Sequence, residues 1–344
     1  MSAAKPTIIF TAPKITSGFM EQDITLMSPY VNVLRLDLSD CSGFQRACYY
    51  TRLWHMLTRE GSALVFAYFV LAKYTPLLAL MVKALRRKLI IVTGGIDATW
   101  VPDIRWGDMG SPLRRTLFAF VMRLSDSVLP FSNAAREDVL RYGHPPRIRT
   151  AYLSADTDLF KPQQAPRARR AVTACYAISH AARQQKGVEP FVRAAALLPD
   201  VEFTVVGEFV DDSRGYLKSI ATPNVTFTER RFNAAECAAL FASSSAYVQA
   251  SAHEGFGVSL AEGMASGCVP VVADRYAMPE VVGGTGYVVP FNDPAALAQA
   301  VRDALSHPEK GLAARQRVLD NFTPAHRQRL LREELELALG RSLA

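Results

Sequence analysis

The chain has 344 residues, 49% hydrophobic and 21% charged, a balance that excludes a disordered protein and suits two domains of ordinary size. The net charge is +7, and residues 1–160 hold nearly all of it, with 19 Lys and Arg against 13 Asp and Glu. Five cysteines (Cys41, Cys48, Cys175, Cys237, Cys268) show no paired spacing, which argues against a zinc site or a disulfide framework and for a reducing compartment.

Residues 1–6 lack the charged and apolar regions of a secretory signal and lead straight into a strand, so the expected location is the cytoplasm. Strands are expected at 7–12, 31–36, 63–68, 89–93 and 127–130, alternating with helical patterns as in a parallel α/β sheet. The turn 14–19 after the first strand brings Gly18 toward the place where a ligand would lie, with little glycine for that task. Segment 44–57 mixes Tyr49, Tyr50 and Trp54 with Arg46 and Arg52, and segment 76–88 is apolar before Lys83, Arg86, Arg87 and Lys88. Basic amphipathic helices of this kind lie on anionic membrane surfaces; burial against the sheet is the competing reading. Thr75-Pro76 reads as the cap and first-turn proline of the second of them. The apolar run 61–72 falls short of the ~18–20 residues that cross a bilayer. The basic first half points to an anionic surface, and no nucleic-acid-binding motif accompanies it.

Gly94-Gly95-Ile96-Asp97 follows the strand 89–93 directly. A carboxylate there either orients or deprotonates an acceptor hydroxyl or closes a turn by capping backbone amides. Asp103, Arg105 and Trp106 come next, in a loop placed to line the acceptor side. The polar, proline-bearing, basic stretch 161–170 reads as the hinge between an N-terminal domain 1–160 and a C-terminal domain 171–323. Strands in the second half are expected at 171–178, 202–206, 225–227, 246–249, 269–273 and 286–289.

Lys186-Gly187 closes the loop after the strand 171–178 and opens a helix over 188–198, with Arg183 in the same loop. Asp211-Asp212 reads as a solvated turn and the six histidines form no ligand cluster, so no metal is expected. Arg230 and Arg231 follow the strand 225–227, where a guanidinium can stack on a base. No G-x-G-x-x-G follows a strand, which leaves a nicotinamide or flavin enzyme without support. Gly283-Gly284-Thr285-Gly286 sits between strand signals and reads as a turn.

The most informative stretch is Glu254-Gly255-Phe256-Gly257-Val258-Ser259-Leu260-Ala261-Glu262. A glycine turn opens a helix, whose free amides and positive dipole end suit a phosphate. Gly255 and Gly257 let the main chain approach a ligand closely. Glu254 at the turn and Glu262 about two turns along are too far apart to share a proton or a metal. They can instead hold hydroxyls at the two ends of one extended ligand, and a nucleotide-sugar has that shape.

With Gly263-Met264-Ala265-Ser266-Gly267, the buried run 268–273 and Pro279-Glu280-Val281-Val282 after it, this string resembles the donor-site half of the retaining GT-B glycosyltransferases of family four, glycosyl transferases group 1. The likeness is close over about 175–305 and looser in the first half. It implies an α/β GT-B fold: two Rossmann-like domains facing across a cleft, with a C-terminal helix, 324–344, crossing back to the first. It implies that Lys186 holds the diphosphate, Glu254 the donor sugar and Glu262 the ribose, with amides of Phe256, Gly257 and Val258 donating to the ligand. The family's usual arginine is His180 or Ala181 here, which leaves Arg183 as the nearby substitute; Glu280 falls in the family's proline-glutamate step without its usual glycines. Asp97 falls in a Gly-Gly-x-Asp pattern found in a subset of relatives.

The activity implied is transfer of a sugar from a nucleoside diphosphate to a hydroxyl of a glycan or lipid-linked acceptor. It needs no cofactor or metal and proceeds in the cytoplasm or at the inner face of the cell membrane. Donor base, sugar and acceptor stay open. The rivals are a phosphorylase or epimerase on the same fold and a non-catalytic nucleotide-sugar-binding subunit.

Overall fold

The computed structural model describes residues 4–13, 15, 18–37, 43–59 and 62–343, the side chains of Gly43 and Phe44 excepted. The chain forms two compact units, one of residues up to Leu153 together with those from Pro324 on, the other Ser154–Thr323.

The first unit runs β1 (Thr7–Ala12), α1 (Gly18–Met27), β2 (Asn32–Asp37), α2 (Gly43–Thr58), β3 (Leu64–Tyr68), α3 (Thr75–Ala84), β4 (Lys88–Thr93), α4 (Pro112–Leu124), β5 (Ser127–Pro130) and α5 (Asn133–Tyr142). Its five strands are parallel in the order β2-β1-β3-β4-β5. Successive strand residues face opposite sides of a sheet, so the apolar runs of β3 and β4 serve two cores. On one side Ile9, Val65, Leu89 and Ile91 pack with Tyr49, Leu53 and Leu57 of α2, Leu78 and Val82 of α3, and Phe118 and Val121 of α4. On the other, Tyr68 meets Asp23 of α1.

The second unit runs β6 (Ala168–Ile178), α6 (His180–Gln185), α7 (Val188–Ala195), β7 (Glu202–Phe209), α8 (Ser213–Ile220), β8 (Val225–Phe227), α9 (Ala234–Ser243), β9 (Ser244–Gln249), α10 (Val258–Ala265), β10 (Val269–Ala273), α11 (Ala277–Val282), β11 (Tyr287–Val289), α12 (Pro294–Ser306) and α13 (Glu309–Asn321). Its six strands are parallel in the order β11-β10-β9-β6-β7-β8. The order reverses beside β6 and β9, and open α/β sheets take ligands beyond the carboxyl ends of strands at such a point. The glycine cluster is a turn as expected: Gly283, at φ 54°, closes α11.

The helix α14 (Pro324–Leu339) returns to the first unit and packs on α1. A fully enclosed ion pair holds it. Arg327 Nε and Nη2 donate to Asp23 Oδ1 and Oδ2 at 3.0 and 2.7 Å, and Nη1 donates to the Ala151 carbonyl at 2.6 Å. The Tyr68 hydroxyl donates to the same carboxylate.

Two expectations are corrected. The stretch 161–170 does not divide the units, because it is bonded into the second. Ala155 N donates to the Phe322 carbonyl at 2.9 Å, Phe160 packs on Phe241 with ring centroids 6.1 Å apart, and Arg167 Nη1 donates to the Ser244 carbonyl at 2.7 Å. The boundary therefore falls at Ser154, and Ala168–Arg170 already belong to β6. Thr75 is the first residue of α3 rather than its cap; its hydroxyl accepts from Leu71 N at 2.8 Å and ties back the preceding turn.

Candidate active site

The loop leaving β9 carries the glutamate turn, and two constraints fix its shape. Gly187 stands at φ 66° and caps α7; a Cβ there would lie 1.9 Å from the Ala250 carbonyl oxygen. The α6–α7 loop therefore lies directly on the β9–α10 loop, and Ala252 N donates to the Gln185 carbonyl at 2.7 Å. Lys186, between those two contacts, is delivered to Glu254: its Nζ donates to Oε1 at 2.7 Å. Gly187→Ala is expected to cost at least ~2 kcal/mol through the left-handed backbone and the collision together. A urea midpoint unchanged from the wild type would count against this docking.

Glu254 is held from behind. Oε1 also accepts from Gln249 Nε2 at 3.1 Å and Ser251 Oγ at 3.0 Å, and both of those side chains are buried. Oε2 takes no bond from the described residues. Burial lowers the Lys186 ammonium, but the charge and hydrogen bond of Glu254 more than offset it, and the group is held above its ordinary value. Lys186 is a fixed cation at neutral pH.

Gly257, at φ 94°, caps α10 without a side chain. The amides of Gly257, Val258 and Ser259 find no acceptor among the described residues. The Phe256 side chain is buried against Phe322, with centroids 5.2 Å apart, so only the main chain of this turn is on offer. Gly255 continues the same turn.

The carboxylate of Glu262, on the second turn of α10, has no hydrogen-bond or ion-pair partner among the described residues. Burial, reinforced by the nearby Asp156 charge, pushes its carboxyl from 4.5 up to about 8. A half-buried acid without protein donors is costly to ionise unless water or a ligand supplies them. His253 is pulled down to about 4 by burial, the opposite effect of Glu254 being smaller, and stays neutral.

Other expected site residues are engaged elsewhere. Arg183 lies over the Tyr216 ring at 4.1 Å and beside Glu189 at 3.5 Å, bonded to nothing in the Lys186–Glu254 cluster, so it does not take the missing arginine's place in this structure. His180, which with Ala181 stands where that arginine is expected, pairs with Asp212 at 2.6 Å, and its amide donates to Asp211 at 2.8 Å. These three exposed groups lie close enough to share an ion, but Asp211 is already used in capping the chain at His180 and Ser213. Arg230 pairs with Glu236 at 2.7 and 3.1 Å and lies over the Phe232 ring at 4.5 Å. Its neighbour Arg231 lies 3.8 Å over the exposed Tyr176 ring at the end of β6, a platform the sequence reading did not single out.

In the first unit Asp97 is wholly buried. Oδ2 accepts from Val70 N at 2.9 Å and Thr93 Oγ1 at 2.5 Å, and Oδ1 from Gly95 N at 3.2 Å. Burial raises its carboxyl above the ordinary value against those bonds. It is a turn-closing residue and presents nothing to an acceptor, which corrects the catalytic expectation. Asp103 and Arg105 are exposed and Trp106 half-buried around a short 3-10 turn, closed by Val101 N donating to the Trp106 carbonyl at 2.7 Å. Gly18 is exposed at the start of α1; Lys14, Thr16 and Ser17 of the turn before it lie outside the described residues. Gln249 and Ser251, which aim Glu254, were missed because neither residue type announces a role until its partner is known.

Residues 173–307 match the family model described as glycosyl transferases group 1. A protein named MMP alpha-(1->4)-mannosyltransferase from Mycolicibacterium hassiacum is 31% identical over 200 residues. That match covers 54% of this chain and 47% of the mannosyltransferase, so the chain spans about half the length of that relative. Among solved structures, sucrose-phosphate synthase from Thermosynechococcus elongatus superposes with a TM-score of 0.78 at 15% identity, over 98% of this chain and 100% of that one. HepE from Anabaena in complex with UDP-glucose gives 0.74 at 16% identity, over 96% and 99%. The two parallel sheets are those of the GT-B fold.

Proposed function

We propose that the protein is a retaining glycosyltransferase that moves a hexosyl group from a nucleoside-diphosphate-sugar to a hydroxyl of a glycan or lipid-linked acceptor, working in polysaccharide assembly at an anionic membrane surface. One observation carries the donor assignment: a half-buried lysine and three unclaimed helix-end amides stand beside a held glutamate, with a second glutamate, its carboxylate without a protein partner, down the same helix. Cation and amides suit a diphosphate, Glu254 Oε2 a sugar hydroxyl, and Glu262 a ribose diol. The likeness to HepE, solved in complex with UDP-glucose, and to the mannosyltransferase relative supports this reading.

In the step assigned, the bond from the anomeric carbon to the diphosphate breaks, and its electron pair stays on the leaving phosphate oxygen. Lys186 and the Gly257–Ser259 amides neutralise that charge, the kind of fixed electrostatic support that matters most when it meets charge as it develops. The same oxygen takes the acceptor's proton while the acceptor oxygen bonds the anomeric carbon on the face just vacated. No protein nucleophile, cofactor or metal is assigned a part.

Nucleotide-sugar turnover across UDP-, GDP- and ADP-sugars, read as nucleotide release that requires an added acceptor, tests transfer. Release without acceptor, or none with tight donor binding, favours the phosphorylase or binding-subunit alternatives; the latter draws on His180 standing where the family carries arginine.

Glu262 gives a pH signature. Its folded pKa of about 8 lies above the unfolded value, so ionising it destabilises the free protein progressively between about pH 4.5 and 8. Ribose hydroxyls favour the ionised form, so binding a nucleoside diphosphate at pH 7 is expected to release up to about one proton more in the wild type than in Glu262→Gln. Calorimetry in two buffers of different ionisation enthalpy measures that difference, and equal release would remove Glu262 from the ribose.

A further inference from the structure

The outer sides of α2, α3 and α4 carry side chains that water does not favour. Trp54 is 50% exposed, Leu77 46%, Leu80 47%, Leu113 67% and Phe120 38%. All five lie on the three helices that share one side of the first unit's sheet, and their inward neighbours already fill that core. On α3 no charged residue stands between Lys73 and Lys83, so its outward side is apolar from end to end. Contiguous exposed apolar surface on a soluble protein marks a docking site.

Charge identifies what docks. Residues 43–124, which contain the three helices, hold 12 Lys and Arg against 4 Asp and Glu, while the whole chain nets only +7. Part of this charge is spent inside the unit: Lys83 and Lys88 pair with Asp126 at 2.5 and 3.2 Å, and Arg87 donates to the Leu57 carbonyl at 3.2 Å. Lys73 and Arg86 beside the two ends of α3, and Arg123 three residues beyond Phe120 on α4, are exposed, and their side chains have no hydrogen bond or ion pair among the described residues. A fringe of unpaired cations around leucines, a phenylalanine and a tryptophan complements a leaflet of anionic headgroups over acyl chains. The core of a protein interface is depleted in lysine and in charge generally.

We propose that this helix layer docks the protein on an anionic bilayer, with Trp54, Leu77, Leu80, Leu113 and Phe120 entering the headgroup boundary and Lys73, Arg86 and Arg123 on lipid phosphates. The sequence reading reached α2 and α3; the structure adds α4. The inference deepens the membrane setting proposed above, yet it needs no substrate and is tested without turnover, so the two fail separately.

The test is flotation of the whole protein with vesicles of phosphatidylcholine alone and with phosphatidylglycerol added. The wild type is expected to float only with the anionic vesicles and to be released by salt. At about 1 kcal/mol for each cation near an anionic surface, R86E/R123E is expected to bind at least about 30-fold more weakly. L80D/F120D is expected to stay in the dense fraction. Both variants change exposed side chains, so their melting temperatures and nucleoside diphosphate binding should match the wild type; if L80D/F120D does not fold, R86E/R123E decides alone. Equal recovery with and without phosphatidylglycerol, or unchanged flotation of the folded variants, overturns the proposal. So does a wild-type dimer in light scattering that L80D/F120D dissociates, which would make a second copy the occupant.

Discussion

Lys186→Ala is expected to lower kcat for sugar transfer at least ~10²-fold, the loss seen when one fixed stabilising group is taken from a developing charge. The Lys186 ammonium is half-buried and held charged by Glu254. An ammonium has three donors, so it can keep Glu254 and still reach a phosphate oxygen. The variant is also a clean one. Removing the lysine leaves Glu254 Oε1 accepting from Gln249 and Ser251, so no buried carboxylate is orphaned and the fold survives. Glu254→Ala has the same expected effect on turnover but leaves a half-buried ammonium without its counter-charge, and a loss of stability should accompany it. Steady-state kinetics beside a melting curve separate the two. Near-wild-type turnover in Lys186→Ala would mean that the leaving diphosphate is neutralised elsewhere.

Arg327→Met should destabilise the first unit by about 3–5 kcal/mol, the cost of breaking a buried ion pair from one side. The arginine and Asp23 are each only 1% exposed at their side chains, and the Tyr68 hydroxyl leans on the same carboxylate. Without the guanidinium, the Asp23 carboxyl is left with the Tyr68 hydroxyl as its one partner among the described residues, and the Ala151 carbonyl loses the Arg327 donor. The double variant Asp23→Leu/Arg327→Met removes both charges and is expected to regain much of the loss, because matched apolar replacements of buried pairs are often close to neutral. Urea midpoints read both. A single variant within about 1 kcal/mol of the wild type would show that α14 is held to α1 by apolar contacts alone.

The donor half was legible because its signals are local. A glycine turn running into a helix, with glutamates eight residues apart, fits within nine residues, and Lys186-Gly187 announces itself as a loop-to-helix step. What escaped were long-range pairings. Asp97 was left open between base and cap because its decisive partner, the Val70 amide, lies 27 residues back on another loop. Asp23 and Arg327 are 304 residues apart, and nothing near either foretells the other. Arg183 was placed at the diphosphate by proximity in sequence, whereas the stacking surface of Tyr216 and the charge of Glu189 draw it off. The hinge was misplaced for a related reason: Arg167 looks like linker charge until its carbonyl acceptors at Ser244 and Ser266 are known.

The central claim is that the α10 end, Lys186 and the two glutamates form one nucleotide-sugar site. A crystal structure with a nucleoside diphosphate bound tests it most directly. The expected result is a terminal phosphate within hydrogen-bond reach of the Val258 and Ser259 amides and Lys186 Nζ, with both ribose hydroxyls on Glu262. A nucleotide bound elsewhere, with those amides facing water and Glu262 still without a partner, would contradict the account.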